Sequence, residues 1–267
     1  MKTLVCTGPG LLEYNTADKP GVRPDHSIIK IKRIGVCGTD LHAFEGTQPY
    51  FVYPRILGHE LSGELVSIDN APGFRVGEAV TFVPYFNCGN CVACRNGKPN
   101  CCSNIKVCGV HQAGGMVEYL SVPSASLIHG EGLSFDELAL VEPLSIGAHG
   151  IRRAGVVPGE FVLIMGLGPI GLASLVFAGQ AGAKIIAMDI DNSRLQFCRN
   201  VLNSDHVVNA FDKDIMDQLL QITGGDMPTV VIDATVNWNA INEGFKYMAH
   251  GGRYVLIGLQ KGNISFS

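Results

Sequence analysis

The two halves of the chain differ in how apolar and polar positions alternate. Up to about residue 122, short β-branched runs such as 28–34, 63–68 and 79–83 are separated by Gly, Pro and Asp. This spacing predicts an antiparallel β-rich domain. From about residue 159, apolar runs alternate with helical patterns, which predicts βαβ units around a parallel sheet. We therefore expect two domains of different architecture, at 1–135 and 136–267.

The second half contains candidate strands at 161–165, 184–189, 206–208, 229–233 and 253–258. Between them, the pattern predicts helices at 169–181, 192–202, 212–222 and 238–248, with Asn192 and Asp212 as N-caps. The segment 135–154 lacks alternation and predicts a loop and a helix that join the domains.

Composition and charge narrow the function classes. The 267 residues are 46% hydrophobic and 16% charged with a net charge of -4, which is typical of a soluble globular protein. Acidic residues outnumber basic ones, 24 to 20, so we expect no nucleic acid partner. The apolar stretch at the N-terminus is too short for a signal peptide. No apolar run reaches the ~20 residues that a membrane span needs. We expect a cytoplasmic protein that does not bind membranes.

A glycine-rich turn follows the first strand of the second half. It reads Gly166-Leu167-Gly168-Pro169-Ile170-Gly171, and the next strand ends at Asp189. In a βαβ unit this pattern predicts a dinucleotide site. Gly166 allows the tight turn, Gly168 admits a pyrophosphate and Gly171 permits close helix packing. Pro169 and Ile170 complete the predicted contact with the cofactor.

The residue at the end of the second strand bears on the choice of cofactor. Asp189 would accept hydrogen bonds from the adenosine ribose and repel a 2′-phosphate, which favours NAD over NADP. Arg194 could stack on adenine or soften that preference. The alternative is that the glycines form only a tight connection and Asp189 is an ordinary residue at a strand end.

Five of the nine cysteines lie close together. Cys88, Cys91, Cys94 and Cys102 form C-x2-C-x2-C-x7-C, a spacing that predicts a closed, structural zinc site. Cys101 could compete with Cys102, and only one of these neighbours should bind. The alternative is a set of buried thiols or a redox pair. The isolated cysteines are expected in the interior, and these are Cys6, Cys108 and Cys198.

Three separated motifs supply a second group of possible metal ligands. They are Cys37-Gly38-Thr39-Asp40-Leu41-His42, Gly58-His59-Glu60 and Glu142-Pro143. Each means little by itself. Together with the cofactor turn, the three motifs predict a zinc site with Cys, His and carboxylate ligands. One coordination position of the zinc would stay open, as catalysis requires.

The motifs CGTDLH, GHExxG, the cysteine cluster, GGMVEYLSVP, VEPL and GLGPIG occur in an order that resembles the zinc-containing medium-chain alcohol and polyol dehydrogenases. The resemblance covers essentially the whole chain and is most like the sugar-acid and polyol branch that includes L-galactonate oxidoreductases. It implies an N-terminal GroES-like β domain with two zinc ions and a C-terminal Rossmann domain with NAD. The substrate would lie in the cleft between them.

The resemblance also implies roles for single residues at the zinc sites. Cys37 and His59 would bind the catalytic zinc, while Glu60 and Glu142 would share the remaining carboxylate role, with the direct ligand left open. The family's spacing selects Cys102 rather than Cys101 for the structural zinc.

The implied reaction moves a hydride from a secondary alcohol of a polyol or sugar acid to NAD. Thr39 would contact the substrate oxygen and His42 would lie further along a proton path. Asp40 would hold His59 and fix its tautomer.

Two other functions compete with this one. A zinc-stabilised protein could bind NAD(H) without chemistry, but it would have no reason to combine the three ligand motifs. A zinc-free NADPH-linked quinone or enone reductase of the same superfamily is disfavoured by Cys37 and by the cysteine cluster. Compared with the family, we expect the last Rossmann strand and the return segment to be absent, and the full-length enzyme to be a homo-oligomer.

Overall fold

The computed structural model describes residues 1–259 and divides the chain into two compact units, Met1–Glu142 and Pro143–Ser267. This division falls later than the predicted boundary between residues 135 and 136. The end of the predicted second domain, residues 260–267, lies outside the described residues. The domain limits themselves stay a prediction.

The N-terminal unit is built mainly from strands. These are β1 (Lys2–Gly8), β2 (Leu11–Thr16), β3 (His26–Gly35), β4 (Arg55–Ile56), β5 (Glu60–Ser67), β6 (Ala79–Phe82), β7 (Tyr85–Phe86), β8 (Lys106–Val107), β9 (Tyr119–Pro123) and β10 (Leu127–His129). The first helices of the chain are α1 (Gly38–Phe44), α2 (Val92–Arg95), α3 (Phe135–Ala139) and α4 (Val141–Ala154).

These strands form three antiparallel sheets, in the orders β10-β6-β5-β3-β9, β2-β1-β4 and β7-β8. The antiparallel prediction is confirmed. The largest sheet encloses a core that includes Ile29, Leu65 and Val80, each almost fully buried. Burial of each such side chain stabilises the fold by about 1.5–3 kcal/mol. This core supports β3 and β5, whose ends carry candidate site residues.

The C-terminal unit contains one parallel sheet in the order β13-β12-β11-β14-β15. Its strands are β11 (Phe161–Met165), β12 (Lys184–Asp189), β13 (His206–Asn209), β14 (Val230–Asp233) and β15 (Arg253–Leu256). Its further helices are α5 (Pro169–Gln180), α6 (Asn192–Asn200), α7 (Ile215–Thr223) and α8 (Trp238–Gly244). The five predicted strands and the βαβ alternation are confirmed, with the strand order of a Rossmann domain.

The central strand β11 is apolar throughout because both faces of the sheet are covered. Val162 and Ile164 pack into one core, whereas Leu163 and Met165 pack into the other. Such burial on both sides is typical of parallel sheets. Among the described helices, none has the length and apolarity needed to cross a lipid bilayer.

Both predicted N-caps are wrong, by one residue at α6 and by two residues at α7. Helix α6 is capped by Asp191, whose Oδ1 accepts from the Ser193 amide at 2.7 Å, and Asn192 is the first helical residue. Helix α7 follows Asp214 rather than Asp212. Aspartate and asparagine both favour caps, so neighbouring candidates of these types are hard to rank from sequence.

The segment 135–154 contains two helices, α3 and α4, and not the predicted loop and single helix. Helix α3 begins with a reciprocal capping box. Glu137 N donates to Ser134 Oγ at 3.2 Å, while Ser134 N donates to Glu137 Oε2 at 2.8 Å. This exchange satisfies two amides that a helix start would otherwise leave unpaired.

Candidate metal and cofactor sites

One aspartate brings the first two predicted ligand motifs together. Asp40, in the first turn of α1, is buried and accepts from the Cys37 amide at 3.0 Å through Oδ2. Its Oδ1 accepts from the Gly58 amide at 3.1 Å. Asp40 therefore ties the start of α1 to the loop that precedes His59.

The sequence predicts that Asp40 holds His59, but the structure shows no hydrogen bond between Asp40 and His59 Nδ1. The distance from Asp40 Oδ1 to His59 Nδ1 is 4.0 Å, which is too long for a hydrogen bond. His59 Nδ1 is buried and has no hydrogen-bond partner within residues 1–259. An unpaired buried imidazole nitrogen is costly unless a ligand, such as a metal ion, satisfies it.

A three-ligand set consists of Cys37, His59 and Glu60, whose ligand atoms all lie within 4.8 Å of one another. Glu60 begins β5 directly opposite Gly35 of β3. A Cβ atom on Gly35 would stand 2.1 Å from Glu60 Oε2. The missing side chain at Gly35 therefore leaves the space in which the Glu60 carboxylate turns toward the set.

Glu142 is buried beside this set but lies outside it. The Tyr85 hydroxyl donates a hydrogen bond to Glu142 Oε1. Burial, followed by the charge of Glu142, raises the pKa of Tyr85, so the phenol keeps its proton and acts as the donor. Sequence reasoning did not identify Tyr85 or Gly35, since neither belongs to a motif with a recognisable spacing.

The electrostatics of the set favour a cation. Burial lowers the pKa of His59, but the Cys37 thiol and then the charges of Asp40 and Glu142 outweigh it and raise the value to about 9. Burial and the neighbouring charge of Glu142 raise the pKa of Glu60. A divalent cation would offset this concentration of negative charge, so the residues fit a zinc ion.

The loop that carries His59 is closed by contacts that leave no room for side chains. The Gly115 amide donates to Gly58 O at 2.9 Å, and the Met116 amide donates to Leu57 O at 3.0 Å. A Cβ atom on Gly114 would lie 2.4 Å from Leu57 O, and one on Gly109 would lie 2.9 Å from Gly58 N. Segment 109–116 therefore holds this loop in place through close contacts between the two backbones.

Thr39 and His42 both lie on α1, close to Cys37 in the chain. Their spacing of i and i+3 places them on one side of the helix. Both are partly exposed, and His42 Nδ1 lies 3.3 Å from Glu45 Oε2. The substrate contact of Thr39 and the proton path through His42 stay predictions.

The cysteine lobe, residues 88–102, gathers the four predicted sulfur atoms within 4.8 Å of one another. Cys91 and Cys94 sulfurs are 3.4 Å apart, and those of Cys88 and Cys102 are 3.5 Å apart. Four sulfurs at ~2.3 Å from a tetrahedral zinc would be separated by about 3.8 Å. The lobe therefore fits zinc, with Cys101 exposed and outside the sulfur cluster.

Backbone amides surround these sulfurs. The Cys88 and Asn104 amides each donate to Cys102 Sγ at 3.3 Å. Hydrogen bonds from the backbone of Cys94, and then of Ser103, lower the pKa of Cys91 to about 5. Such donors stabilise the thiolate form that binds metal. As predicted, the remaining cysteines are buried: Cys6, Cys108 and Cys198.

The cofactor turn, residues 166–171, joins β11 to α5. Gly166 has a φ of +85°, and a Cβ atom on Gly171 would lie 1.8 Å from Gly166 O. Gly168 is the N-cap of α5, and its missing Cβ faces open space, with Pro169 and Ile170 beginning the helix. The turn therefore leaves an approach for a ligand at the positive end of α5.

Asp189 supports this turn from the end of β12. It is buried, and its Oδ2 accepts from the Leu167 amide at 2.6 Å while its Oδ1 accepts from the Asp191 amide at 2.9 Å. Arg194 lies nearby, with Nη1 3.6 Å from Asp189 Oδ2. The position of the predicted ribose acceptor is thus set by the turn itself.

Two family descriptions match the chain. Residues 23–131 match the alcohol dehydrogenase GroES-like domain, and residues 169–267 match the zinc-binding dehydrogenase family. The chain is 41% identical to an L-galactonate-5-dehydrogenase of Escherichia coli, over 100% of this chain and 78% of that protein. It is 30% identical to a sorbitol dehydrogenase of Bacillus subtilis, over 98% of this chain and 76% of that protein.

Solved structures share the fold. An alcohol dehydrogenase from Escherichia coli complexed with NADH superposes with a TM-score of 0.91 at 28% identity, covering 100% of this chain and 79% of that chain. A zinc-binding dehydrogenase from Sinorhizobium meliloti bound to NADP gives a TM-score of 0.88 at 27% identity, with coverage of 100% and 79%. The predicted GroES-like and Rossmann folds are confirmed. With these relatives and this fold, the chain belongs to the zinc-type medium-chain alcohol dehydrogenase family.

Proposed function

We propose that this dehydrogenase oxidises a secondary alcohol of a polyol or sugar acid, with one zinc ion at the three-ligand set and NAD as the hydride acceptor. The observation that carries the proposal is the approach of the Cys37, His59 and Glu60 ligand atoms to within 4.8 Å of one another, with His59 and Glu60 buried. Three protein ligands leave a tetrahedral metal with one position for substrate.

Zinc bound there would supply Lewis acidity to the substrate hydroxyl. Thr39 would contact that hydroxyl and His42 would pass its proton toward solvent. The substrate carbon gives up its hydride to NAD and becomes a carbonyl, which balances the reaction. Of the two glutamates, we assign Glu60 as the ligand and Glu142 as its neighbour, since only Glu60 lies within the set.

A second zinc ion would be held by Cys88, Cys91, Cys94 and Cys102. Four protein ligands leave no open position, so its contribution would be to the fold of the lobe. We propose a cytoplasmic location, because a reducing compartment keeps such thiols free to bind metal.

The preference for NAD rests on Asp189. A buried carboxylate at the end of β12 repels the 2′-phosphate of NADP and can accept from a ribose hydroxyl. Solved relatives occur with NADH and with NADP, so the choice depends on this chain's own residues. Pro169, Ile170 and Arg194 would complete the contact surface for the cofactor.

The substrate class is supported by the names of two relatives, an L-galactonate-5-dehydrogenase and a sorbitol dehydrogenase. Both names denote open-chain compounds rich in secondary alcohols. We propose the same class here, with a small molecule as the only substrate partner and a homo-oligomer as the working enzyme.

The test combines metal analysis with NAD and NADP reduction across a panel of polyols and aldonates. We expect two zinc ions per chain, turnover with at least one panel member, and faster reduction of NAD than of NADP. Cys37→Ser should lose one zinc and turnover. The matched control is Cys101→Ser, at an exposed cysteine outside both metal sites, which should keep both zinc ions and full turnover. Full turnover in Cys37→Ser, or no zinc beyond the lobe, would contradict the proposal.

A further inference from the structure

The loop that follows β14, residues 234–237, lies where the strand order of the parallel sheet reverses. In the order β13-β12-β11-β14-β15, the chain runs outward from β11 on one side and then crosses to β14 on the other side. In open sheets of this kind, ligands bind in the crevice outside the carboxyl ends of the strands at such a reversal. The crevice is therefore bordered by the cofactor turn and by loop 234–237.

The two segments that border this crevice are in close contact with each other. A Cβ atom on Gly166 would lie 3.1 Å from Ala234 C and 3.2 Å from Thr235 Cα. The Ala234 amide also donates to Met165 O at 2.9 Å. Loop 234–237 thus lies directly beside the turn that is expected to receive the pyrophosphate of NAD.

Val236, within this loop, has a backbone conformation that β-branched residues rarely adopt. Its φ is +54°, in the left-handed region, where a valine side chain is crowded by its own backbone. Among residues 1–259, no other β-branched residue has a positive φ. Such a conformation is costly and persists only where the surrounding structure enforces it.

Hydrogen bonds on both sides of Val236 enforce this conformation. Asp233 is buried, and its Oδ1 accepts from the Thr235 amide at 2.8 Å and from Thr235 Oγ1 at 2.7 Å. Thr235 Oγ1 accepts in turn from the Asn237 amide at 3.3 Å. The Tyr254 hydroxyl, on the neighbouring strand β15, donates to Asp233 Oδ2 at 2.6 Å. The chain before and after Val236 is therefore held in place.

The side chain of Val236 lies against the end of the next strand. A Cβ atom on Gly258, which follows β15, would lie 2.8 Å from Val236 Cγ2. The isopropyl group therefore spans the carboxyl ends of β14 and β15. Rossmann sheets bind one half of a dinucleotide on each side of the reversal. Asp189, the expected ribose acceptor of the adenosine half, ends β12 on the other side, so the nicotinamide half would lie over β14 and β15.

We propose that Val236 contacts the nicotinamide half of the bound dinucleotide, and that its strained backbone is kept because it presents the isopropyl group to this half. The proposal rests on the proposed function, because it assumes that NAD binds at the cofactor turn. It separates two quantities that usually change together. Replacing the valine should stabilise the fold and weaken the binding of the complete cofactor.

The first experiment compares Val236→Asn with the unaltered chain. Asparagine tolerates the left-handed region, so we expect the unfolding temperature without cofactor to rise by about 2–4 °C. The Kd for NADH should rise about 10-fold, because the polar side chain no longer offers apolar surface to the cofactor. The Kd for ADP, which contains only the adenine half, should stay unchanged. Calorimetric titration measures both constants, and scanning calorimetry measures the unfolding temperature.

The matched control is Val76→Asn, at a valine that is 65% exposed and has no positive φ. It lies within Met1–Glu142, outside the parallel sheet, so the unfolding temperature and both Kd values should stay unchanged. A second variant, Val236→Gly, removes both the crowding and the apolar surface. Its Kd for NADH should rise at least as much as in Val236→Asn, which keeps the proposal testable if the asparagine variant does not fold.

The outcomes separate the two proposals. An unaltered chain that does not bind NADH contradicts the proposed function. If the unaltered chain binds NADH and both Val236 variants bind it equally well, Val236 does not contact the cofactor. Equal losses of NADH and ADP affinity would overturn the assignment to the nicotinamide half. An unfolding temperature that falls in Val236→Asn would overturn the claim that the native backbone is strained.

Discussion

Space for one carboxylate at the three-ligand set depends on a residue that has no side chain. Gly35→Ala would place a Cβ atom 2.1 Å from Glu60 Oε2 and 2.7 Å from Glu60 Cβ. We expect Glu60 to turn away from Cys37 and His59, and metal affinity at the set to fall about 10- to 100-fold. The measurement is zinc content after dialysis against a weak competing chelator.

The matched control for this prediction is Gly21→Ala, at a glycine whose added Cβ would meet nothing within 4 Å. This variant should keep the metal content of the unaltered chain, and both variants should keep the lobe zinc. Gly35→Ala with an unchanged metal affinity would show that Glu60 is not a ligand.

Single residues also mark the limit of sequence reasoning. Cys37, His59 and Glu60 can be proposed together because their residue types match a metal site and occur in recognisable motifs. The separate position of Glu142 cannot be predicted, because its tertiary contacts, which include a hydrogen bond from the Tyr85 hydroxyl, form only in the folded chain. A lone tyrosine carries no spacing that would indicate such a partner.

In the turn between β11 and α5, one glycine is needed for packing and another leaves access for a ligand. Gly171→Ala would bring a Cβ atom to 1.8 Å from Gly166 O and push α5 from β11, whereas Gly168→Ala would meet no protein atom within 4 Å. We expect Gly171→Ala to lower both the unfolding temperature and NAD affinity. Gly168→Ala should lower NAD affinity alone.

Thermal unfolding and NADH fluorescence titration of both variants check this prediction. Gly179→Ala within α5 is the control, since its added Cβ would make only an ordinary contact at 3.4 Å. Equal losses of stability in Gly168→Ala and Gly171→Ala would contradict the division of roles.

Three strands of the parallel sheet share one carboxylate at their starting ends. Glu160 accepts from the Val157 amide at 2.9 Å and from Thr229 Oγ1 at 3.0 Å, and it pairs with Arg253. Burial raises the pKa of Glu160, but these donors outweigh it and hold the pKa below the ordinary value of 4.5. Stability from the charged form is therefore present above pH 4.5 and is lost as pH falls through the lower, folded pKa.

Glu160→Gln should therefore lower the free energy of unfolding by about 1 kcal/mol at neutral pH. The difference from the unaltered chain should shrink as the medium becomes more acidic than the ordinary glutamate pKa. Urea unfolding at several pH values measures this, with the exposed Glu131→Gln as control. A difference that stays constant with pH would contradict the assigned role of the charge.

Helices and strands could be predicted where burial produces a regular pattern of apolar residues. Strand β11 can be predicted because Val162 and Leu163 pack into different cores, so the run is apolar without alternation. The start of α6 cannot be fixed to a residue in this way. Asp191 and Asn192 are both good caps, and the contact with Ser193 N decides between them.

For the molecule as a whole, metal removal should affect one part of the chain first. The sulfur and three-ligand sites both lie within Met1–Glu142. We expect chelation to reduce amide hydrogen-exchange protection in residues 85–107, because the metal would hold the lobe closed. Protection in the parallel sheet, residues 161–256, should change little. Mass spectrometry of exchanged peptides, with zinc restored as control, measures both regions, and equal loss in both would contradict this expectation.

The overall plan of a β-rich unit followed by a parallel sheet could be predicted from the sequence because the two halves have different periodicities. The close approach of segment 109–116 to the loop at Gly58 could not. It depends on the tertiary contact of two chain segments, and glycines in the sequence indicate only that such a contact is possible.

The close contact between segment 109–116 and the loop at Gly58 also bears on which positions of this enzyme can change. Gly109 and Gly114 both contact the backbone around Gly58, so even a methyl group on either would separate the two segments. A larger residue at either position would have to push the backbone that precedes His59 away from segment 109–116. We therefore expect changes in substrate preference to be tolerated more readily at other positions than at these two glycines.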